Sequence, residues 1–250
     1  MKRWQVGKLS IRLSRQQVTV CLGWVALIVL AMVLSTYAVA GIAWLMVKAD
    51  WLSQINASVV NLVSQGFVHI VTVIVVCLVA WRVKRPLSIK QVGVQRLIEW
   101  RDIGLAAIGA IAYLVLTVIL SYIAQSIIPG FDPSQRQDIG APDKLFSIDL
   151  ALAFAILVIV VPLCEELIFR GILYGRLRAA KISAVLCTVF VSILFGVAHG
   201  QWNVGIDTFA LSLVLCALRE YTGSIWAGFL LHLTKNSIAF YALYIATTLW

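Results

Sequence analysis

Charge is scarce in this chain: Asp, Glu, Lys and Arg make up 12% of the 250 residues, against 62% hydrophobic residues. That shortage excludes an ordinary soluble domain and a solvated, disordered one, since neither runs for long without a charge. Low-complexity linkers and internal repeats are also lacking. Cysteine is sparse and odd in number: Cys21, Cys77, Cys164, Cys187 and Cys216 are spread through apolar segments. No CxxC or Cys/His zinc spacing occurs, so these five read as small buried hydrophobes. Acidic residues are outnumbered, 11 against 20 basic ones, for a net charge of +9. The basic residues sit in short loops without interleaved aromatic platforms, which argues against a nucleic-acid partner.

What is present is a set of long apolar runs. Residues 18–47, 52–81 and 103–128 contain no Asp, Glu, Lys or Arg, and each exceeds the roughly 20 residues that cross a bilayer as a helix. Further spans are expected from residue 148 into a glutamate motif, over 182–199, over 206–218, and once or twice within 225–250. The fold class is therefore an all-α, polytopic transmembrane helical bundle of six to eight helices in contact with membrane lipids. Ala38-Val39-Ala40 resembles a signal-peptidase site after the basic start, but the apolar run continues past it to residue 47, so this segment is expected to span rather than be removed.

Loop charge sets the expected orientation. Lys2, Arg3, Lys8, Arg12 and Arg15 at the N-terminus, the basic stretch 82–101, and the turn holding Arg176, Arg178 and Lys181 are placed in the cytoplasm. The connection with Asp132, Asp138, Asp143 and Asp149, and only Arg136 and Lys144, is placed outside. Pro129, Pro133 and Pro142 forbid a continuous helix there. That seam divides an N-terminal part, residues 1–147, from a C-terminal part, residues 148–250, which holds the unusual polar residues. The N-terminal part is expected to be lipid-facing packing with little chemistry, and its His69 a hydrogen-bonded packing residue.

Residues 160–175 read VVPLCEELIFRGILYG. A charge at mid-bilayer costs roughly 2.5 to 3.5 kcal/mol on insertion scales, so Glu165, Glu166 and Arg170 need partners or a wet cavity. Residues four apart share a helix face, which pairs Glu166 with Arg170 and leaves Glu165 available for chemistry. Pro162, one turn earlier, predicts a kink. Two more i, i+4 pairs follow: Phe195 with His199 in FGVAH, and His232 with Asn236 in HLTKN. A carboxylate, two imidazoles and a carboxamide can activate a water and hold an oxyanion. Spacing alone nevertheless ranks an enzyme behind a transporter or channel. Lys235 is expected to snorkel toward an interface, and Arg219 with Glu220 to mark a loop or helix end.

Together the three motifs resemble the CAAX prenyl protease 2 family, also called the CPBP or Abi group of intramembrane proteases. Its EExxxR motif is matched by Glu165, Glu166 and Arg170, with Gly171 following; FxxxH by Phe195 and His199; and HxxxN by His232 and Asn236. The lead into the last motif, including Thr222-Gly223-Ser224, is also similar, and the resemblance runs over about residues 152–241. It implies an eight-helix intramembrane endopeptidase acting on a membrane-associated peptide or protein, lipidated or not. Glu165 and His199 would activate water, His232 and Asn236 would hold the oxyanion, and Glu166, Arg170 and Phe195 would support the site. No cofactor is required by that reading, although the resemblance leaves open a zinc set of Glu165, His199 and His232. A multi-pass protein of a bacterial plasma membrane with a cytoplasmic N-terminus is expected. The alternatives are a non-catalytic membrane scaffold or bacteriocin-immunity protein, or a proton-coupled transporter using Glu165.

Counting from the turn at Arg176 to Lys181 puts Glu165 about 16 Å back along its helix and His199 about 27 Å along the next. The two levels are expected to meet through tilt, a displaced segment, or helices that start late.

Overall fold

A computed structural model describes residues 13–52, 55–135 and 147–246. Lys2, Arg3, Lys8 and Arg12, and Arg136, Asp138, Pro142, Asp143 and Lys144 of the polar connection, lie outside the described residues. The described residues form eight helices and no strand. These are α1 (Arg15–Lys48), α2 (Ala57–Arg82), the single turn α3 (Ile89–Val92), α4 (Trp100–Ile127), α5 (Ile148–Ala179), α6 (Ala184–Val197), α7 (Trp202–Thr222) and α8 (Trp226–Phe240), which continues through Tyr241–Ile245. Five of them, α1, α2, α4, α5 and α7, are long and apolar enough to cross a membrane. The protein is a multi-pass helical membrane protein. Ala38-Val39-Ala40 lies inside α1, and four of the five cysteines are buried, while Cys77 is exposed on the outer surface of α2.

Local sequence sets the helix ends. Ser14 caps α1 by accepting from Gln17 N at 3.2 Å, while Gln17 Oε1 accepts from Ser14 N at 3.0 Å, a reciprocal capping box. Ser183 starts α6 the same way, accepting from Leu186 N at 3.3 Å. Gly223 ends α7 with φ of +69°, a left-handed position that glycine adopts without steric cost.

Hydrogen bonds gather the basic turns at one end of the bundle. Gln17 Nε2 donates to Ala180 O at 3.2 Å, Arg176 Nη2 to Arg85 O at 2.6 Å, and Gln95 Nε2 to Gly223 O at 3.1 Å. At the opposite end Asn203 Nδ2 donates to Gln135 O at 2.6 Å. The helices thus alternate in direction.

Three apolar clusters surround the interior. One joins α1, α2, α5 and α6 through Trp24, Val76, Tyr174, Leu177 and Val191. A second joins α4, α7 and α8 through Tyr113, Leu211, Leu215 and Leu231. The third joins α2, the start of α5 and the end of α8 through Leu62, Ile156 and Phe240. Helices α1, α2 and α4 are therefore packed into the same bundle as the C-terminal helices. Many large apolar side chains remain exposed, among them Leu22, Leu30, Ile111 and Val118, as a lipid-facing surface requires.

Candidate active site

Helix α5 departs twice from α-helical geometry. Residues 155–160 and 166–173 are wound as π-helix, on either side of a short α segment that begins around Pro162. Val161 N–H donates to Ile156 O, five residues back, which is the π register. The next donor in that register would serve Leu157 O, but it is Pro162, which has no N–H. Asn236 of α8 supplies the missing donor: its Nδ2 lies 2.9 Å from Leu157 O. The expected disturbance at Pro162 is present, and it is stabilised from another helix.

The vertical mismatch between Glu165 and His199 narrows when the levels are counted from the helix ends at the α-helical rise. Glu165 stands fourteen residues before Ala179, the end of α5, and His199 fifteen after Ala184, the start of α6. At about 1.5 Å per residue these are about 21 and 22 Å. The later end of α5, at Ala179, and the late start of α6, at Ala184, contribute equally to the difference from the count based on Arg176 and Lys181. The α7–α8 turn sits higher on α5, where Arg219 Nε donates to Arg170 O at 3.2 Å. From there α8 reaches His232 at the depth of the glutamates.

A cavity of about 370 Å³ opens at this depth, and Glu165, His199, His232 and Asn236 all line it. The two glutamates behave differently. Glu166 is fully buried, and its Oε1 accepts from Arg170 Nη1 at 2.9 Å and faces His232 Nδ1 at 3.1 Å. Glu165 retains 15% side-chain exposure toward the cavity, with Oε2 lying 3.6 Å from His232 Nε2. His232 therefore has a carboxylate at each ring nitrogen. Gly228 makes room for this arrangement, since a Cβ there would sit 3.2 Å from Glu166 Oε2.

Phe195 is central rather than peripheral. It is fully buried, with the Arg170 guanidinium 4.2 Å above its ring. Its ring centroid is 5.0 Å from those of Phe169 and His199 and 5.9 Å from that of His232, all edge-on. Desolvated cation–π contacts contribute about 2 kcal/mol, so this ring helps hold the Arg170 charge that Glu166 neutralises. It also fixes the planes of both motif histidines.

His199 Nδ1 lies 2.8 Å from Phe195 O. A carbonyl oxygen can only accept, so Nδ1 carries the hydrogen and Nε2 is the basic nitrogen of the neutral ring. The i, i+4 spacing of Phe195 and His199 thus gives one residue two tasks: its side chain packs the imidazole ring and its carbonyl sets the tautomer.

Several sequence-based expectations need correction. Lys235 has an internal partner: it lines the cavity, with Nζ 3.4 Å from Asp207 Oδ2. Asp207 Oδ1 in turn accepts from Tyr113 Oη at 2.5 Å and Thr117 Oγ1 at 2.8 Å. A lysine on the inward face of α8 has a half-buried carboxylate within reach. Arg219 and Glu220 do close α7, but they also tie elements together: Arg219 Nη2 donates to Gln91 O at 2.7 Å, and Glu220 accepts from Arg178 Nη2 at 2.7 Å and Tyr174 Oη at 2.9 Å. Nor is the N-terminal part confined to lipid-facing packing, because Ile28 and Met32 of α1 and Gln65, Val68, His69 and Thr72 of α2 line the cavity. His69 does hydrogen-bond to Gln65 O at 2.8 Å, but its Nε2 lies 3.9 Å from Glu165 Oε1. Its signal was its isolation: it is the one basic side chain in a 30-residue run without Asp, Glu, Lys or Arg, and such residues face protein interiors or wet cavities.

Among the described residues, no three His, Cys, Asp or Glu side chains are arranged to hold a metal ion.

The model of the type II CAAX prenyl endopeptidase Rce1-like family matches residues 147–238. This part of the chain is CAAX-protease-like. The match takes in all three motifs, from Glu165 to Asn236, and leaves α1, α2 and α4 outside it. It relates the matched CAAX-protease-like segment to membrane endopeptidases, and so to hydrolases that act on peptides. No curated protein and no solved structure matches the chain.

Proposed function

We propose that this protein is an intramembrane endopeptidase that hydrolyses a peptide bond of a membrane-associated substrate by direct attack of a water activated by Glu165, with His199 carrying the proton on to the leaving amine. The observation that carries the reading is the separation of the glutamates: Glu166 is neutralised by Arg170, whereas Glu165 faces a cavity shared with His199, His232 and Asn236. A base must reach the proton it takes, directly or through one water, and Glu165 has this access.

In the proposed reaction the water oxygen bonds to the peptide carbonyl carbon, its proton passes to Glu165, and the carbonyl π electrons move onto oxygen. His232, when it carries both ring protons, donates from Nε2 to that oxyanion. The second hydrogen of Asn236 Nδ2 serves the same oxygen, since only one is committed to Leu157 O. Collapse of the intermediate breaks the C–N bond as the proton is delivered through His199 to the departing amine. The products are a carboxylic acid and an amine, with water consumed and Glu165 restored. No metal enters these steps. The basic end of the bundle is assigned to the cytoplasm, because basic loops are retained there.

The test uses purified protein in detergent with fluorescence-quenched peptides ending in a CAAX sequence, farnesylated and unmodified, followed by mass spectrometry of the products. Cleavage by wild type and its loss in Glu165→Gln is the expected result. Wild-type rates from Glu165→Gln would overturn the hydrolase reading.

A further inference from the structure

His69 lies outside the matched segment and outside every motif, yet its ring has the same anchorage as that of His199. In both, Nδ1 lies 2.8 Å from the carbonyl oxygen four residues earlier, Gln65 O for His69 and Phe195 O for His199. Both rings open onto the same cavity. The carbonyl fixes the hydrogen on Nδ1, so Nε2 of neutral His69 is a hydrogen-bond acceptor. That nitrogen faces Glu165 Oε1, another acceptor, at 3.9 Å. The separation is too long for a direct hydrogen bond, and two acceptors have no hydrogen to share. A single water about 2.8 Å from each atom can span the gap, donating one hydrogen to each.

We propose, building on the hydrolase reading, that His69 is a positioning residue of the site, which together with Glu165 holds the attacking water by both hydrogens. Held so, the water presents its oxygen lone pairs to the cavity, the orientation that attack on a carbonyl carbon requires. Glu165 accepts the proton as the new O–C bond forms, while His69 keeps the other hydrogen in place. The remaining Glu165 oxygen, Oε2, lies 3.6 Å from His232 Nε2, too far to take the hydrogen that this nitrogen gives to the oxyanion. The charged and titratable groups lining this cavity besides His69 are Glu165 from α5, His199 after α6, His232 and Lys235 from α8, and Tyr244 just beyond it. The N-terminal helices would thus complete the site.

Two measurements test this. The first is an experimental structure of the wild-type protein at a resolution that shows waters. Density about 2.6 to 3.2 Å from both His69 Nε2 and Glu165 Oε1 upholds the site; a His69 ring turned away from Glu165, or no density between them, overturns it. The second is kinetic, with the farnesylated quenched CAAX peptide. His69→Phe keeps ring bulk but removes the acceptor, and should lower kcat about 10- to 100-fold, the scale of a misplaced reactant, with KM nearly unchanged. His69→Gln, whose side-chain oxygen accepts, should recover part of kcat and alter the pH–kcat profile relative to wild type. Wild-type kcat in His69→Phe overturns the proposal. So does a loss matched by a lower melting temperature and not relieved by Gln, because that is the signature of packing. If wild-type protein cleaves no peptide, the hydrolase reading falls, and the density alone decides whether His69 and Glu165 hold a water.

Discussion

The side-chain amide of Asn236 donates to Leu157 O at 2.9 Å, at the step of α5 where Pro162 brings no backbone N–H. One helix thereby repairs the hydrogen-bond ladder of another, and the repair ties α8 to the helix that carries both glutamates. A buried carbonyl left without a donor costs about 1 to 3 kcal/mol. Asn236→Ala should therefore lower stability by about that much in addition to its effect on turnover.

Pro162→Ala restores a backbone donor near the same carbonyl, so the two changes should not add. A double-mutant cycle on melting in detergent should show the Asn236→Ala penalty reduced by about 1 kcal/mol in the Pro162→Ala background. Strict additivity would show that the amide does not stand in for the missing N–H.

The two glutamates should separate by stability. Glu165→Gln removes a cavity-facing base with no basic partner on its own helix, so peptide cleavage should disappear while the melting temperature stays close to wild type. Glu166→Gln leaves the fully buried Arg170 guanidinium without its carboxylate, and breaking such a pair costs about 3 to 5 kcal/mol. Its yield and melting temperature should fall along with activity. Equal melting behaviour in the two variants would contradict the division of roles.

Phe195→Leu keeps an apolar side chain but removes the face beneath Arg170 and the edges against His199 and His232. A loss of about 2 to 3 kcal/mol is expected from the cation–π contact and the residual cavity. Because the histidine planes are also released, kcat should fall more than the small volume change would suggest. Unchanged denaturation and turnover would show that the motif phenylalanine is ordinary packing.

Removal of divalent metal addresses the arrangement of Glu165, His199 and His232 directly. Dialysis against a strong chelator should leave peptide cleavage near its starting rate, and added zinc should not raise it. Activity lost to the chelator and restored by zinc would replace the water-activation scheme with a metal-assisted one.

Much of the architecture was legible in the chain because a bilayer imposes length and apolarity on every span. The uncharged runs predicted α1, α2 and α4 to within a few residues. Helical periodicity also placed Glu166 against Arg170 without tertiary information, since i, i+4 neighbours belong to one helix. The depth of the site was harder to read. Its levels depend on where α5 ends and α6 begins, and the basic turn around 176–181 blurred that boundary: Arg176 and Arg178 are still helical, while Ser183 caps the next helix.

The sequence by itself determined a helical membrane bundle, three polar motifs in order, and an internal ion pair, because these follow from composition and from contacts within one helix. Only the tertiary structure decided which helices meet. It placed His69 of α2 across from Glu165, turned Lys235 inward to Asp207, joined Asn236 to the carbonyl exposed by Pro162, and set His232 between two adjacent carboxylates. Each of these joins residues on different helices, and uniformly apolar spans carry little periodic signal of which face turns toward which neighbour.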